Sequence, residues 1–307
     1  MLCGNPFVFG VTGMKNKIKA AVVNFKAEYA NKQLNLQKME HYIEMAAKGK
    51  CNIVVLPELC LTGYDVFMAD DVDKTEKEAL CEDVMGISLC KVARLAEKLD
   101  ICVCFGFGEK YKEGFYNSAA LVSPKGEINI YRKIHLFGKE GLFFNRGSEP
   151  VVVDTPWGKT GIGICFDTYC FPELLRYYAY NGGVLYLNPT AMAYENDSNE
   201  AVESLCKYYT TALEYNVMNM GMYILSANLT GVDKTSIFGG GSVVVGVKND
   251  GFKRPSAEYY AGNPRETKEE LFMAEIDLSL CNRRLFAPSP VTGDIAFVPE
   301  IYKTFYN

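Results

Sequence analysis

Short apolar runs recur along the chain at intervals that leave room for a helix between them: KAAVVNF at 19–25, IVVL at 53–56, ICVCFGF at 101–107, VLYL at 184–187 and MYILSAN at 222–228. Runs of that length with little polar alternation fit strands covered on both faces. Between them, NKQLNLQKMEHYIEMAAK (31–48), GISLCKVARLAEKL (86–99), FPELLRYYAYNGG (171–183) and residues 200–219 space their apolar positions for helices. Two further pairs read as hairpins. YNSAALVSP joins GEINIYRK through a Pro-Lys-Gly turn, and VVVDTPWGKTGIGIC leads up to Cys165. GGSVVVGVKNDG reads as a strand closed by Asn249-Asp250-Gly251, and LFMAEIDL as a late strand. The pattern is α/β, with sheets of mixed and antiparallel pairing covered by helices. No linker or low-complexity segment interrupts it, so 14–307 is read as a single domain. Met14 followed by KNKIKAAVVNF looks like a natural start, which makes 1–13 an extension or a mis-set beginning.

Three of the runs end on a polar residue able to do chemistry: IVVLP on Glu58, INIYR on Lys133 and GIGI on Cys165. In layered α/β folds the carboxyl ends of strands are where sites form. Each residue alone has an ordinary reading. Cys165 is one of eleven cysteines, Glu58 can cap a turn after Pro57, and Lys133 in a Tyr-Arg-Lys run can be a surface charge. Together they hold a nucleophile, a base and a cation. A carboxylate closing an apolar run is partly desolvated, which raises its pKa toward the range of a useful base. A nearby ammonium keeps it ionised and holds a carbonyl oxygen as it turns anionic. The chain has only two histidines. His135 lies two residues past Lys133 and could pair with Cys165 or simply bond a backbone carbonyl; His41 falls on the charged part of the first helix.

Composition narrows the partners. The net charge of −5 gives no reason to expect nucleic acid or an anionic membrane, and no apolar run is long enough to span a bilayer. The cysteines are odd in number, contain no CxxC and lie partly within apolar runs, which fits thiols in a reducing cytoplasm rather than a disulfide frame or zinc site. The opening MLCGNPFVFGVTG lacks the pattern of a secretion signal.

PELCLTGY at 57–64, YRKIHLF at 131–137 and GICFD…FPE at 163–173 resemble, in order and spacing, the three signature regions of the nitrilase (carbon–nitrogen hydrolase) superfamily. TALEYNVMNMGMYILSANLTG, FGGGSVVVGVKNDG and LFMAEIDL extend the resemblance over about 17–280. It implies a four-layer α-β-β-α sandwich, assembled as a homodimer or larger homo-oligomer, with no cofactor or metal. It also implies a triad in which Glu58 is the general base, Lys133 the oxyanion-stabilising cation and Cys165 the nucleophile. Glu140, followed by Phe144 and Gly147, matches a second glutamate that orients Lys133 and the substrate nitrogen. Phe166 would offer its backbone N–H as a second oxyanion donor, and Cys170 would be a bystander.

Members that cleave nitriles carry Trp-Glu after the cysteine; Phe166-Asp167 here points to amides or N-carbamoyl compounds. Thr168-Tyr169-Cys170 stands where many amidase-type members have an Arg that reads a substrate carboxylate, and Thr211 replaces another Arg while Glu214 is kept. Tyr64, Phe67, Phe143, Tyr169, Asn188 and Tyr194 lie just past strand ends or in site loops and are expected to line the pocket. The expected activity is hydrolysis of a small linear amide through a cysteine thioester. The alternatives are transfer of the same acyl group to an amine, or a silent binding subunit.

Overall fold

The computed structural model describes residues 16–194, 196, 198–248, 255–282, 285–289 and 291–305. The expected extension at 1–13 and the Asn249-Asp250-Gly251 turn lie outside the described residues. In chain order the strands are β1 (Lys17–Asn24), β2 (Ile53–Val55), β3 (Cys102–Tyr111), β4 (Gly114–Val122), β5 (Ile128–Arg132), β6 (Val152–Thr155), β7 (Gly158–Ile162) and β8 (Gly183–Thr190). They continue with β9 (Ala193–Tyr194), β10 (Tyr223–Asn228), β11 (Thr230–Val232), β12 (Ile237–Gly239), β13 (Val243–Val247), β14 (Ala257–Gly262) and β15 (Glu270–Asp277). The helices are α1 (Lys32–Lys48), α2 (Asp65–Met68), α3 (Lys74–Leu80), α4 (Ile87–Leu99), α5 (Phe166–Cys170), α6 (Pro172–Tyr180), α7 (Asn199–Met220) and α8 (Pro299–Tyr302).

Two six-stranded sheets form, ordered β15-β1-β2-β3-β4-β5 and β14-β13-β10-β8-β7-β6. Both mix parallel and antiparallel pairs: β1 runs parallel to β2 and antiparallel to β15, and β8 parallel to β7 and β10. The strand period of two sorts their side chains. Ala20 and Val22 of β1 join Ile53, Val55, Ile162, Leu185, Leu187 and Leu225 in the core between the sheets. Ala21 and Val23 point the other way, against Leu36, Met39 and Ile43 of α1 and Leu89 and Val92 of α4. On the far side Leu174, Leu175 and Tyr178 of α6 and Leu213 and Val217 of α7 cover the second sheet. The layers run helix, sheet, sheet, helix. Both faces of each sheet are buried, which is why the runs read as continuously apolar; each fully buried Val, Leu or Ile stabilises by roughly 1.5–3 kcal/mol.

Local signals set the ends. Asn31 caps α1 by accepting the Leu34 N–H, Ser198 caps α7 by accepting the Ala201 N–H, and α7 stops at Gly221 in the left-handed conformation. The short helices α2, α3 and α5 and the small sheet β11-β12-β9 carry no periodic pattern and were not foreseen. Such pieces are too short for periodicity to register and are fixed by tertiary bonds. No described helix is long and apolar enough to cross a membrane.

Candidate active site

Tyr131 on β5 faces the core between the sheets, so Lys133, two residues on, projects the same way into a fully buried position. Its Nζ donates to Glu58 Oε1 and to Glu140 Oε1, 2.7 Å from each. Glu58 follows the end of β2. Its N–H reaches Thr190 O at the end of β8, and the Cys165 N–H reaches Pro189 O beside it. Three strand ends far apart in sequence are thus tied to one point. Gly106 makes the approach possible: a Cβ there would lie 2.5 Å from Glu58 Cα. Glu140 sits in a single 3₁₀ turn, Gly138–Leu142, and is fully buried rather than an exposed loop carboxylate. Its Oε1 also accepts from Tyr64 Oη at 2.7 Å, and its Oε2 from the Phe137 N–H.

Cys165 follows β7 with φ 47° and ψ −103°, a positive-φ conformation rare for a residue with a Cβ and costing about 1–3 kcal/mol. Gly163 lets the chain run close beneath: a Cβ there would overlap the Tyr186 hydroxyl. A short additional helix, α5, begins at once after Cys165, ahead of α6, which starts at Pro172 as expected. The N–H of Phe166, the first residue of α5, is one of the amides a helix leaves without an internal acceptor. Asn188 holds the bend from behind. Its Oδ1 accepts from the Cys165 N–H at 3.1 Å and the Thr168 hydroxyl at 2.7 Å, while its Nδ2 donates to Tyr169 Oη and Ser226 Oγ. With all its polar capacity used, Asn188 fixes the cysteine loop instead of lining a pocket.

The electrostatics of the cluster follow from burial. Two carboxyl groups surround one ammonium, leaving a negative excess that a proton would relieve. Burial, opposed by Lys133 and reinforced by Glu140, raises Glu58 above its ordinary value. Burial alone would lower Lys133, but Glu58 and Glu140 override it and keep the ammonium charged. The Cys165 thiol is pushed well up by burial and then by Glu58, against the pull of Lys133, the Thr190 hydroxyl and the Ala191 N–H. It rests as a thiol, so any nucleophilic use of this sulfur would need a base to take its proton. Glu58 Oε1 is occupied by Lys133 and by Asn117 Nδ2 at 2.7 Å; Oε2 is buried and has no hydrogen-bond partner among the described residues. A buried carboxylate oxygen without a donor is costly and rare, and here it is the atom left to accept a proton.

Neither histidine joins the cluster. The His135 ring stacks on Phe171, with centroids 3.5 Å apart, and its Nδ1 lies 2.8 Å from Asp167 Oδ1. The expected backbone-carbonyl partner is corrected to a carboxylate, because Asp167 is buried and gathers every donor around it: the Tyr131 hydroxyl and the N–H groups of His135 and Ile164. It binds the Lys133 strand to the Cys165 loop. His41 is exposed on α1. Cys170 is exposed and bonds the Tyr208 hydroxyl at 2.9 Å.

The expected pocket residues divide. Tyr64 touches Glu140, and Tyr169 Oη donates to Thr190 Oγ1 beside Cys165. Phe143 stacks on Phe67 and Phe115, a packing role one turn from Glu140. Tyr194 sits in the small third sheet, where its hydroxyl donates to Gly239 O. Asn117 was missed. It lies on the inward face of β4 with Ala119 and Leu121, and a polar residue in an inward register of a buried strand was the available signal.

A chain with these layers and this cluster falls in the carbon–nitrogen hydrolase family, whose description matches residues 19–284. A nitrilase of Pyrococcus abyssi is 31% identical over 270 residues, covering 87% of this chain and 93% of the relative. A citrullinase of Francisella tularensis is 33% identical over 223 residues, covering 69% of this chain and 76% of the relative. The solved amidase of Nesterenkonia sp. superposes with a TM-score of 0.70 at 21% identity, over 96% of this chain and 99% of that one. The protein belongs to the carbon–nitrogen hydrolase family of the nitrilase superfamily and is an enzyme of that class.

Proposed function

We propose that this protein is a thiol amidohydrolase that cleaves the non-peptide C–N bond of a small linear amide or N-carbamoyl compound, with Cys165 as nucleophile, Glu58 as base and Lys133 as cation. The observation that carries this reading is the unpartnered Glu58 Oε2, buried in the cluster whose ammonium is shared by Glu58 and Glu140. Cys165 Sγ attacks the amide carbon as its proton passes to Glu58. The carbonyl electron pair moves onto oxygen, and the oxyanion is held by Lys133 Nζ and the Phe166 N–H. Collapse breaks the C–N bond, the nitrogen takes the proton from Glu58, and ammonia or an amine leaves. Water then gives a proton to Glu58 and attacks the thioester; the C–S bond breaks and the thiol is restored. Glu140 orients Lys133 and the substrate nitrogen.

Tyr64 and Tyr169 would line the acyl side, favouring a partly apolar substrate. The reading extends to 14–307 as a single catalytic domain and to a homodimer or larger homo-oligomer, for which the partly exposed Tyr177, Tyr180, Tyr208 and Tyr215 of α6 and α7 offer an apolar surface. The buried thiols Cys60, Cys102 and Cys104 suit a reducing cytoplasm. The test is a screen of short amides, ω-amides and N-carbamoyl compounds for ammonia or amine release with wild type, C165A and C170A. C165A should lose at least about a thousandfold in turnover and C170A almost nothing. Loss in C170A with retention in C165A would sink the assignment.

A further inference from the structure

Tyr64 and the hairpin after β11 are locked together by two aspartates that exchange hydrogen bonds across the fold. Asp233 Oδ2 accepts the N–H groups of Tyr64 and Asp65, both at 2.8 Å. Asp65 returns the exchange. Its Oδ2 accepts the N–H groups of Lys234, Thr235 and Ser236 at 3.0, 2.6 and 2.8 Å, and its Oδ1 the Ser236 hydroxyl at 2.6 Å. Gly63, at φ +82°, gives Asp233 room: a Cβ there would stand 2.9 Å from both carboxylate oxygens. The backbone of Tyr64 is therefore set by Asp233, and its hydroxyl ends on the Glu140 oxygen that Lys133 also binds.

We propose that Asp233 is a positioning residue of the active site, placing Tyr64 and, through the Tyr64 hydroxyl, Glu140 and the Lys133 ammonium. This rests on the reading of Glu58, Lys133 and Cys165 given above. The connection is short: one carboxylate, one residue's backbone and ring, then the shared oxygen. It is also titratable. Asp233 Oδ1 is buried and has no hydrogen-bond partner among the described residues, so it can take a proton without displacing a donor. Burial pushes the carboxyl up to about 6, with Asp65 and Glu28 adding to the rise and the two N–H donors opposing it. The adjacent Lys234 gives no relief, because its ammonium is paired with Asp71. A proton on Oδ1 turns Oδ2 into a weaker, neutral acceptor and loosens Tyr64.

The test follows alkylation of Cys165 by 2-chloroacetamide, in which the thiol sulfur displaces chloride and its proton passes to Glu58, read by peptide mapping between pH 5 and 8. This needs no knowledge of the natural substrate. At pH 7.5 D233N should slow labelling about tenfold, the scale expected when a binding group moves by a fraction of an ångström. Y64F should do the same, and the double variant should be within about twofold of Y64F, because both act on one path. Besides the acid limb set by Glu58, which every variant here keeps, wild type should show a second inflection near pH 6 that D233N and Y64F both lack. If D233N does not fold, the Y64F profile decides alone. Labelling of D233N at the wild-type rate, multiplying effects in the double variant, or an inflection retained in Y64F would overturn the proposal while leaving the triad standing. No labelling of Cys165 in wild type would overturn both.

Discussion

Replacing Asn117 by Ala tests how Glu58 is kept poised. Asn117 Nδ2 is one of two donors to Glu58 Oε1, at 2.7 Å, and its own backbone carbonyl accepts the Lys133 N–H at 2.9 Å. N117A removes the first bond and leaves the second, so the Lys133 strand keeps its register. A hydrogen bond to an ionised group is worth about 1.5–3 kcal/mol, which converts to a bias of roughly 10- to 150-fold toward the protonated carboxyl. The sign is fixed: the lost donor favours the charged form, so its removal raises Glu58 further and moves the acid limb of activity to higher pH. Below that limb the rate falls by the same factor, while the alkaline plateau stays within severalfold of wild type. The assay is the pH profile of Cys165 alkylation, with kcat/KM on any substrate the amide screen finds. An acid limb that does not move in N117A would refute the view that Glu58 acts as a base whose charge is held by Asn117 and Lys133 together.

Two further outcomes follow from the packing. G106A drives a methyl into the Glu58 backbone and should cost about 1–3 kcal/mol in urea unfolding together with a large loss of Cys165 labelling; stability and labelling both unchanged would mean the strand ends are not so closely held. D65N should destabilise by about 1–3 kcal/mol at pH 7 by weakening the bonds to Thr235 and Ser236. Burial works against the Asp65 charge, yet those bonds hold its carboxyl below the ordinary value. Its stabilisation is therefore complete above the ordinary aspartate pKa of about 3.9 and lost as pH falls through the lower folded value. The gap between wild type and D65N should close in urea titrations taken below about pH 4, and a gap that widens there would contradict the assignment.

The sequence by itself determined the layers and the three candidate side chains. Ala20–Val23, Ile53–Leu56 and Leu185–Leu187 are apolar on both faces, which only a sheet covered on two sides satisfies, while the runs IVVLP, INIYR and GIGI deliver Glu58, Lys133 and Cys165 just past strand ends. What the tertiary structure alone decided is how those groups meet and what holds them. Asn117, Asp167, Asn188 and Asp233 lie 23 to 169 residues from the groups they bond, at Glu58, His135, Cys165 and Tyr64. Periodicity reports on neighbours three or four positions away along a helix or two along a strand. A hydrogen bond between distant segments exists only after packing has brought a donor and an acceptor within 3 Å, and it leaves no repeat in the chain that carries it.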